Sequence, residues 1–427
     1  MQVYFVHVKT QRVSRQGLSI WLLVVGLLLL QVAAAAADDQ CLSVRLQEEM
    51  IWPTSGIWSD VAGETALLVV DPLRNGYIGE ILRIQPTTGE VRPAYGRESG
   101  MALKDATSLP GAPTILRANN RGEVAALLDQ GSVFKEEEVY PHVSIISARL
   151  TVQKSLSIED ELRSWDNKNA VSQNVTVAGI FNAVPMGDGF LVFADFNEPD
   201  GQGGTVPTTG FAYLDSAGNA QIFERLEAGD PVFNHYTRSD SYLAAIDDVG
   251  YILRLNRTPS IARVTLAGLE DIDREGENFP KDFKIRPLLT SQPGMPGARE
   301  AVIFYKIMES SRMVSGLFAW GEDLYLLGKS EINDRDETSW WLTQIDSTTG
   351  AEKEETRVLL PTTAASLVVV PGERWVFLER EPVRRFGKLQ APWAPTVSMK
   401  LVPASWLANP SQGPLTASTT VACPTVP

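Results

Sequence analysis

Ser315-Gly-Leu-Phe-Ala-Trp-Gly-Glu-Asp-Leu-Tyr-Leu-Leu-Gly-Lys329 reads as an apolar strand, a tight turn at Gly321 and a second apolar strand. Aromatic and branched residues on both sides of a short Gly or Asp turn spell a β-hairpin. Glycine supplies the positive φ of such a turn without steric cost. The same grammar occurs around Gly63 in Trp58–Val70, Gly122 in Ile115–Leu128 and Gly189 in Ala183–Phe193. It recurs around Gly250 in Tyr242–Leu253 and Gly372 in Leu367–Leu378.

Successive glycines of this set stand 59, 67, 61, 71 and 51 residues apart. A solenoid keeps its period more tightly than that. Four strands with loops of variable length fit the spacing, which is the unit of a propeller. A second recurrence agrees. Leu82–Val91 and Leu342–Ala351 each carry a strand followed by Thr-Thr-Gly, and Tyr213–Ile222 is a shorter relative. In a four-stranded unit this is the turn from the third strand to the fourth. The expected fold is therefore all-β, a six-bladed β-propeller of four-stranded antiparallel blades, with a seven-bladed ring as the alternative. The blades fall at about 52–104, 105–153, 175–228, 238–290, 300–360 and 362–420, within one domain spanning 38–427.

The first 37 residues stand apart. Lys9, Arg12 and Arg15 precede a 13-residue apolar run, Leu18–Leu30, and the small residues Ala33–Ala37 lead to Asp38 and Asp39. This is the layout of a secretory signal cleaved after Ala37, and it places the chain in a secreted or periplasmic setting without a membrane anchor. An uncleaved anchor over Leu18–Ala37 is the competing reading. In an oxidising compartment the two cysteines, Cys41 and Cys423, read as one disulfide joining the ends of a ring.

Asp and Glu number 52 against 38 Lys and Arg, a net charge of −14 that becomes −17 once the three basic signal residues are gone. Phosphate backbones demand the opposite sign, so nucleic acid is excluded as a partner. Only His142 and His235 follow the signal, too few for a His-based zinc centre. Phosphate-binding loops, nucleophile elbows and dinucleotide fingerprints are all missing from the sequence. Asp195, Asn197 and Asp200 before Gly201 give a calcium-like flavour, but their spacing departs from a calcium loop and no bidentate Glu follows in place. No cofactor is assigned beyond that calcium reading.

Connectors between the second and third strands differ in length. The first blade has about Leu73–Tyr77, the third Asn197–Thr209, the fifth Glu331–Ser339 and the sixth Pro382–Pro395. Extra length on one face is how a rigid scaffold carries a binding site. The fifth insert holds Asp334, Asp336 and Glu337, and the sixth holds Arg384, Arg385 and Trp393. These six are the candidate ligand-face residues, for a partner protein or a small polar ligand. Between the second and third units, Ser157–Trp165 has a helical pattern with Ser157 as its cap.

From Trp52 to Leu401 the strand rhythm resembles secreted bacterial six-bladed propellers of the NHL-repeat type, although the Tyr-Trp-Thr-Asp signature is absent. The resemblance implies architecture, and a non-enzymatic binding or scaffold role is the reading that follows. The alternative is a metal-dependent hydrolase resembling the gluconolactonase-like enzymes. Its metal would need carboxylates and amides in the channel, whereas Asp60, Asn119, Asn120, Asp247 and Asp248 sit at hairpin turns.

Overall fold

The computed structural model describes residues 41–45, 53–59, 65–70, 80–85, 88, 90–95, 112–121, 123–129, 142–146, 152–157, 175–217, 219–226, 242–254, 260–273, 313–330, 338–364, 366–380, 396–408 and 425–426. The signal region and all six candidate ligand-face residues lie outside them. So do Cys423, Asp60, His235 and most of the expected connector helix; Ser157 itself ends a strand.

Strand pairing divides the chain into antiparallel meanders. A short strand, β1 (Leu42–Arg45), comes first. The first meander is β2 (Pro53–Ser59), β3 (Thr65–Val70), β4 (Glu80–Ile84) and β5 (Val91–Tyr95). The second is β6 (Ala112–Ala118), β7 (Val124–Asp129), β8 (His142–Ile146) and β9 (Val152–Ser157). The third is β10 (Thr176–Met186), β11 (Gly189–Pro199), β12 (Thr205–Leu214) and β13 (Ala220–Arg225). The fourth is β14 (Tyr242–Ile246), β15 (Val249–Arg254), β16 (Ser260–Thr265) and β17 (Gly268–Asp273). The fifth is β18 (Met313–Trp320), β19 (Asp323–Lys329), β20 (Trp340–Ile345) and β21 (Glu352–Leu359). The sixth has β22 (Ser366–Val370), β23 (Arg374–Arg380) and β24 (Thr396–Pro403), followed by the one-turn helix α1 (Ala404–Ala408).

The sixth sheet borrows its remaining strands from the chain ends. β1 pairs antiparallel with β24, Leu42 opposite Leu401. The last element, β25 (Thr425–Val426), runs parallel to β1 on its other side, giving the order β22-β23-β24-β1-β25. The sequence reading ended the sixth blade at 420 and gave residues 42–45 no role.

Side chains explain why these sheets stand against one another. Strand residues alternate between faces. In β14, Leu243 and Ala245 pack with Val184, Met186, Leu191 and Phe193 of the third sheet. Ala244, between them, packs with Val314, Leu317 and Leu326 of the fifth. A sheet buried on both faces has no polar side to show, so its strands read as unbroken apolar runs. Ala125 of β7 joins the third sheet's core, and Ile84 and Val91 of the first join Val44, Val370 and Leu401 of the sixth. Inner strands β2 and β6 also meet. Trp375 of β23, fully buried, closes the fifth-to-sixth junction with its ring edge-on to Tyr325 at 4.9 Å and to Phe318 at 6.0 Å. Each sheet therefore touches the next and the sixth touches the first. The chain is an all-β propeller built on four-stranded antiparallel blades, the sixth extended by the parallel strand β25, and the six sheets among the described residues fit a six-bladed ring.

A regularity invisible in the sequence runs through the blades. First strands carry a bulge against their neighbours between Pro53 and Ser55, Pro113 and Ile115, Ile180 and Asn182, and Val314 and Gly316. Fourth strands carry another, opposite Ile81–Leu82, Ile145–Ile146, Phe211–Ala212 and Ile261–Ala262. A bulge increases local twist, and here it is applied to the first and fourth strands.

The turns follow the expected grammar in part. Gly321 sits at φ 60° between β18 and β19. In the third blade the positive φ belongs to Gly187 rather than Gly189, which already begins β11. In the fourth the turn is Asp247–Asp248, and Gly250 lies inside β15. A Cβ on Gly250 would stand 2.7 Å from Leu191 and 2.8 Å from Met186, so this glycine serves close approach between blades. The Thr-Thr-Gly turns lie between third and fourth strands. The carboxylate of Asp346 accepts the N–H groups of Thr348 and Thr349, and Asp215 accepts those of Ala217 and Asn219.

Candidate functional site

Antiparallel blades put two kinds of loop at opposite ends of the ring. Turns joining first to second strands emerge at one end, here the turn face. Loops joining second to third strands, with the blade-to-blade connectors, emerge at the other, here the insert face.

On the insert face, blades five and six meet at one connector. The fifth insert leaves β19 after Ser330 and returns at Thr338. Its root is clamped three ways: Ser330 N–H to Ser339 C=O at 2.8 Å, Thr338 hydroxyl to Ser330 C=O at 2.7 Å, and Ser339 N–H to the Ser330 hydroxyl at 2.9 Å. The sixth insert springs from another paired root, Arg380 opposite Thr396. Residues 360–364, running from β21 toward β22, are bonded to the fifth root and to β24 of the sixth blade. Thr338 N–H donates to Thr363 C=O at 3.1 Å, and the Trp340 indole N–H to Ala364 C=O at 2.7 Å. From the sixth blade, the Lys400 ammonium donates to Pro361 C=O and pairs with Glu379 at 2.6 Å. Beside this floor the ammonium of Lys329 lies 5.9 Å from the Trp340 ring centre, with Lys329 buried to 7% exposure. Buried Lys329 and Trp340 and part-buried Lys400 line this connector as a polar floor. Asp334, Asp336, Glu337, Arg384, Arg385 and Trp393 belong to the inserts above it and lie outside the described residues.

The third-blade connector differs from its sequence reading. Asn197–Thr209 was expected as a loop, but β11 runs to Pro199 and β12 starts at Thr205, leaving only Asp200–Gly204 as the turn. The pair protrudes as a self-paired hairpin, with Val206 52% exposed. Its ladder satisfies its own backbone, so polar side chains do not end the strands. The Asp195 carboxylate takes the Thr209 hydroxyl. That of Asp200 accepts Gln202 N–H at 2.7 Å and Gly204 N–H at 2.8 Å, and these bonds hold its pKa below the ordinary carboxylate value. The donors of the calcium-like run are thus divided between a strand and a turn.

On the turn face the polar residues bind one another. Asn119, 1% exposed, caps its own turn by accepting Arg121 and Glu123 N–H, both at 3.0 Å. Asn120 reaches past the third blade to the fourth: its N–H donates to Ala245 C=O at 3.2 Å, and its side-chain oxygen accepts Asp247 N–H at 2.8 Å. Asp247 C=O in turn accepts Gly187 N–H of the third blade at 3.0 Å. Arg121 lies 2.8 Å from Asp247 and 3.4 Å from Asp248. Asp247 holds φ 53°, a costly conformation for a residue with a Cβ. Bonds from two other blades fix it there. Sequence reasoning placed these amides and acids at turns correctly, but only the fold shows that they join three blades. Among the described residues no group of three or more His, Cys, Asp and Glu side chains is placed to hold a metal ion, and no helix is long and apolar enough to cross a membrane.

No known protein family profile matches this chain, and no curated protein matches it in sequence. Several solved structures are similar in shape. The RRP9 WD40 repeats share 9% identity at a TM-score of 0.38, covering 84% of this chain and 97% of that one. The β-propeller domain of the Trilobed protease from Pyrococcus furiosus shares 11% at 0.38, covering 79% and 94%. A gluconolactonase from Xanthomonas campestris shares 12% at 0.40, covering 87% and 93%. The architecture itself rests on the strand pairing and blade packing above.

Proposed function

We propose that this propeller is a binding or scaffold protein of the secreted or periplasmic space, of the NHL-repeat type, and that it binds a protein or a small polar ligand on the insert face at blades five and six. The observation that carries the reading is the floor described above. The base of the fifth insert is bonded to residues 360–364 through Thr338 and Trp340, and Lys400 of the sixth blade's third strand reaches the same connector, which gives a binding surface there a braced base. In this reading the contacts come from Asp334, Asp336 and Glu337 of the fifth insert and Arg384, Arg385 and Trp393 of the sixth. Arg and Trp dominate binding energetics where they occur at interfaces. The turn face supports the assignment from the other side, because its amides and carboxylates are engaged with each other.

The compartment reading rests on the basic start, apolar run and alanine run of residues 1–37, and it carries a disulfide between Cys41 and Cys423. The register of the end strands supports that bond. Ser43 is opposite Thr425 in a parallel pair, and Cys41 and Cys423 each precede one of these by two residues in the sequence.

The test is a pair of variants used as bait in extracts of the protein's own compartment, scored against a partner retained by the unaltered chain. Arg384→Ala with Arg385→Ala is expected to lose that partner, and Asn119→Ala is expected to keep it. Loss with Asn119→Ala alone would move the site to the turn face. Retention of a stoichiometric divalent ion, with lactone hydrolysis by the purified chain, would replace this reading with the gluconolactonase-like hydrolase.

A further inference from the structure

Two tryptophans are neighbours in β20, and the strand sends them to opposite sides of the fifth blade. Trp340 turns toward the sixth blade. It is buried, and its indole N–H donates to Ala364 C=O at 2.7 Å. Trp341 turns the other way. It shares the face from which Leu324, Leu326 and Ile345 pack against the fourth blade. It stands at the insert-face end of that face, next to the root at Thr338 and Ser339. Trp341 is only half-buried. Its indole N–H makes no hydrogen bond to a described residue. Packing and hydrogen bonding explain the first tryptophan and leave half of the second without a task.

The neighbours of Trp341 hold it in place. It lies opposite Gly328 of β19. A Cβ on Gly328 would collide with Cζ2, Cε2 and Cη2 of the ring, so only glycine lets the ring lie against the strand. The Arg357 guanidinium, from β21, is 5.7 Å from the ring centre. Arg357 is itself fixed: its Nε donates to Glu352 Oε1 at 2.7 Å, and its Nη2 lies 2.5 Å from the same oxygen. Its Nη1 makes no hydrogen bond to a described residue, and its side chain is 43% exposed. Ordering a long side chain costs entropy, and here that ordering is complete before any ligand arrives.

We propose that Trp341 and Arg357 form a binding site for a neutral saccharide at the insert face of the fifth blade, on its side toward the fourth. The chemistry of the open groups selects the ligand. They are part of an aromatic ring, the indole N–H and the N–H groups of Nη1, all donors. Glu352 offsets the guanidinium charge, so the place offers hydrogen bonds with no net charge to draw in an anion. A matching ligand has an apolar face and neutral acceptors around it. A sugar ring has both: its C–H groups cover an indole, and its hydroxyl oxygens accept N–H bonds. The site lies on the same end of the propeller as the one proposed above, uses none of the six insert residues and does not rest on that reading.

Calorimetric titration of the full chain tests this, with neutral hexasaccharides of glucose, mannose, galactose and xylose as probes and a hexamer of galacturonate as the charged counterpart. At least one neutral probe is expected to bind. Trp341→Ala and Arg357→Gln should each raise its Kd about tenfold or more, the effect of removing an aromatic or Arg anchor. Asn120→Ala, on the turn face, should leave the Kd unchanged. Denaturant unfolding of each variant shows whether its fold is intact. If Trp341→Ala loosens the blade junction, Arg357→Gln at the surface decides the matter. Binding of no neutral probe overturns the proposal, and so does binding of the galacturonate hexamer alone. Neutral binding that survives both substitutions overturns it as well. Neutral binding that survives them but is lost in Arg384→Ala with Arg385→Ala would move the sugar to the inserts, against this site and in favour of the earlier one.

Discussion

The two ends of this propeller use polar residues in opposite ways. On the turn face, Asn120, Arg121, Asp247 and Gly187 satisfy one another across three blades. On the insert face, Thr338, Trp340 and Lys400 satisfy the backbone of one connector, and Ser330 pairs with Thr338 and Ser339 at the base of the fifth insert. The first arrangement stabilises the ring and ends there. The second builds a platform. Function is expected where polar groups fix the base of a segment rather than its tip, because a segment fixed at its base can vary in sequence without loosening the blades.

Breaking the junction beneath the platform should have the largest effect. Trp375 is fully buried between Phe318, Tyr325 and Phe377. Trp375→Ala is expected to cost about 3–5 kcal/mol in denaturant unfolding, the range for emptying an aromatic site. Trp375→Phe should cost far less. The indole N–H has no hydrogen-bond partner among the described residues, so its removal relieves a buried donor while most of the packing stays. Equal losses for the two substitutions would mean that the indole is hydrogen-bonded in solution.

On the turn face the comparison is between a hydrogen bond and an ion pair. Asn120→Ala removes the acceptor of Asp247 N–H and should cost about 0.5–1.5 kcal/mol. Arg121→Ala removes the pair to Asp247, whose side chains are 46% and 61% exposed, and should cost under about 1 kcal/mol. A salt titration separates them: the Arg121 effect should shrink with ionic strength and the Asn120 effect should persist. The reverse order of losses would show that charge, not backbone satisfaction, ties blades two and four.

Much of the fold was legible because its determinants are local. A two-residue turn at Gly321 and a Thr-Thr-Gly turn headed by Asp346 are each written within a few consecutive residues. Gly250 was misread for the same reason: its purpose lies in Leu191 and Met186 of another blade, which no local window contains. Residues 42–45 were missed because four residues carry little periodic signal and their partner, Leu401, comes near the other end of the chain. The Asn197–Thr209 hairpin looked like a loop because it is polar, and a protruding ladder needs no apolar face. For the site, the sequence could mark which inserts were long. It could not show that residues 360–364 join the fifth insert's base to the sixth blade, since those bonds run from Thr338, Trp340 and Lys400 to backbone carbonyls of no distinctive residue type.

The smallest expected effect concerns the turns that recur from blade to blade. The Asp346 carboxylate accepts N–H bonds from Thr349 and Thr348 and a hydroxyl bond from Thr349, which lower its pKa below the ordinary 3.8. A carboxyl that is more acidic when folded contributes stability above its unfolded pKa and loses it as the pH falls through the folded one. The contribution should therefore be complete near neutrality and fade as the pH falls below the ordinary 3.8. Asp346 keeps part of its surface in water, so solvent screening keeps the size small. Asp346→Asn keeps an acceptor oxygen but has no charge to lose. Its Tm should lie slightly below that of the unaltered chain at neutral pH, and the gap should close in acid. Asp346→Ala, with no acceptor, should stay below at every pH. A gap between Asp346→Asn and the unaltered chain that holds constant from neutrality into acid would show that geometry alone, not charge, makes this turn, and the same reading would then extend to its relative at Asp215.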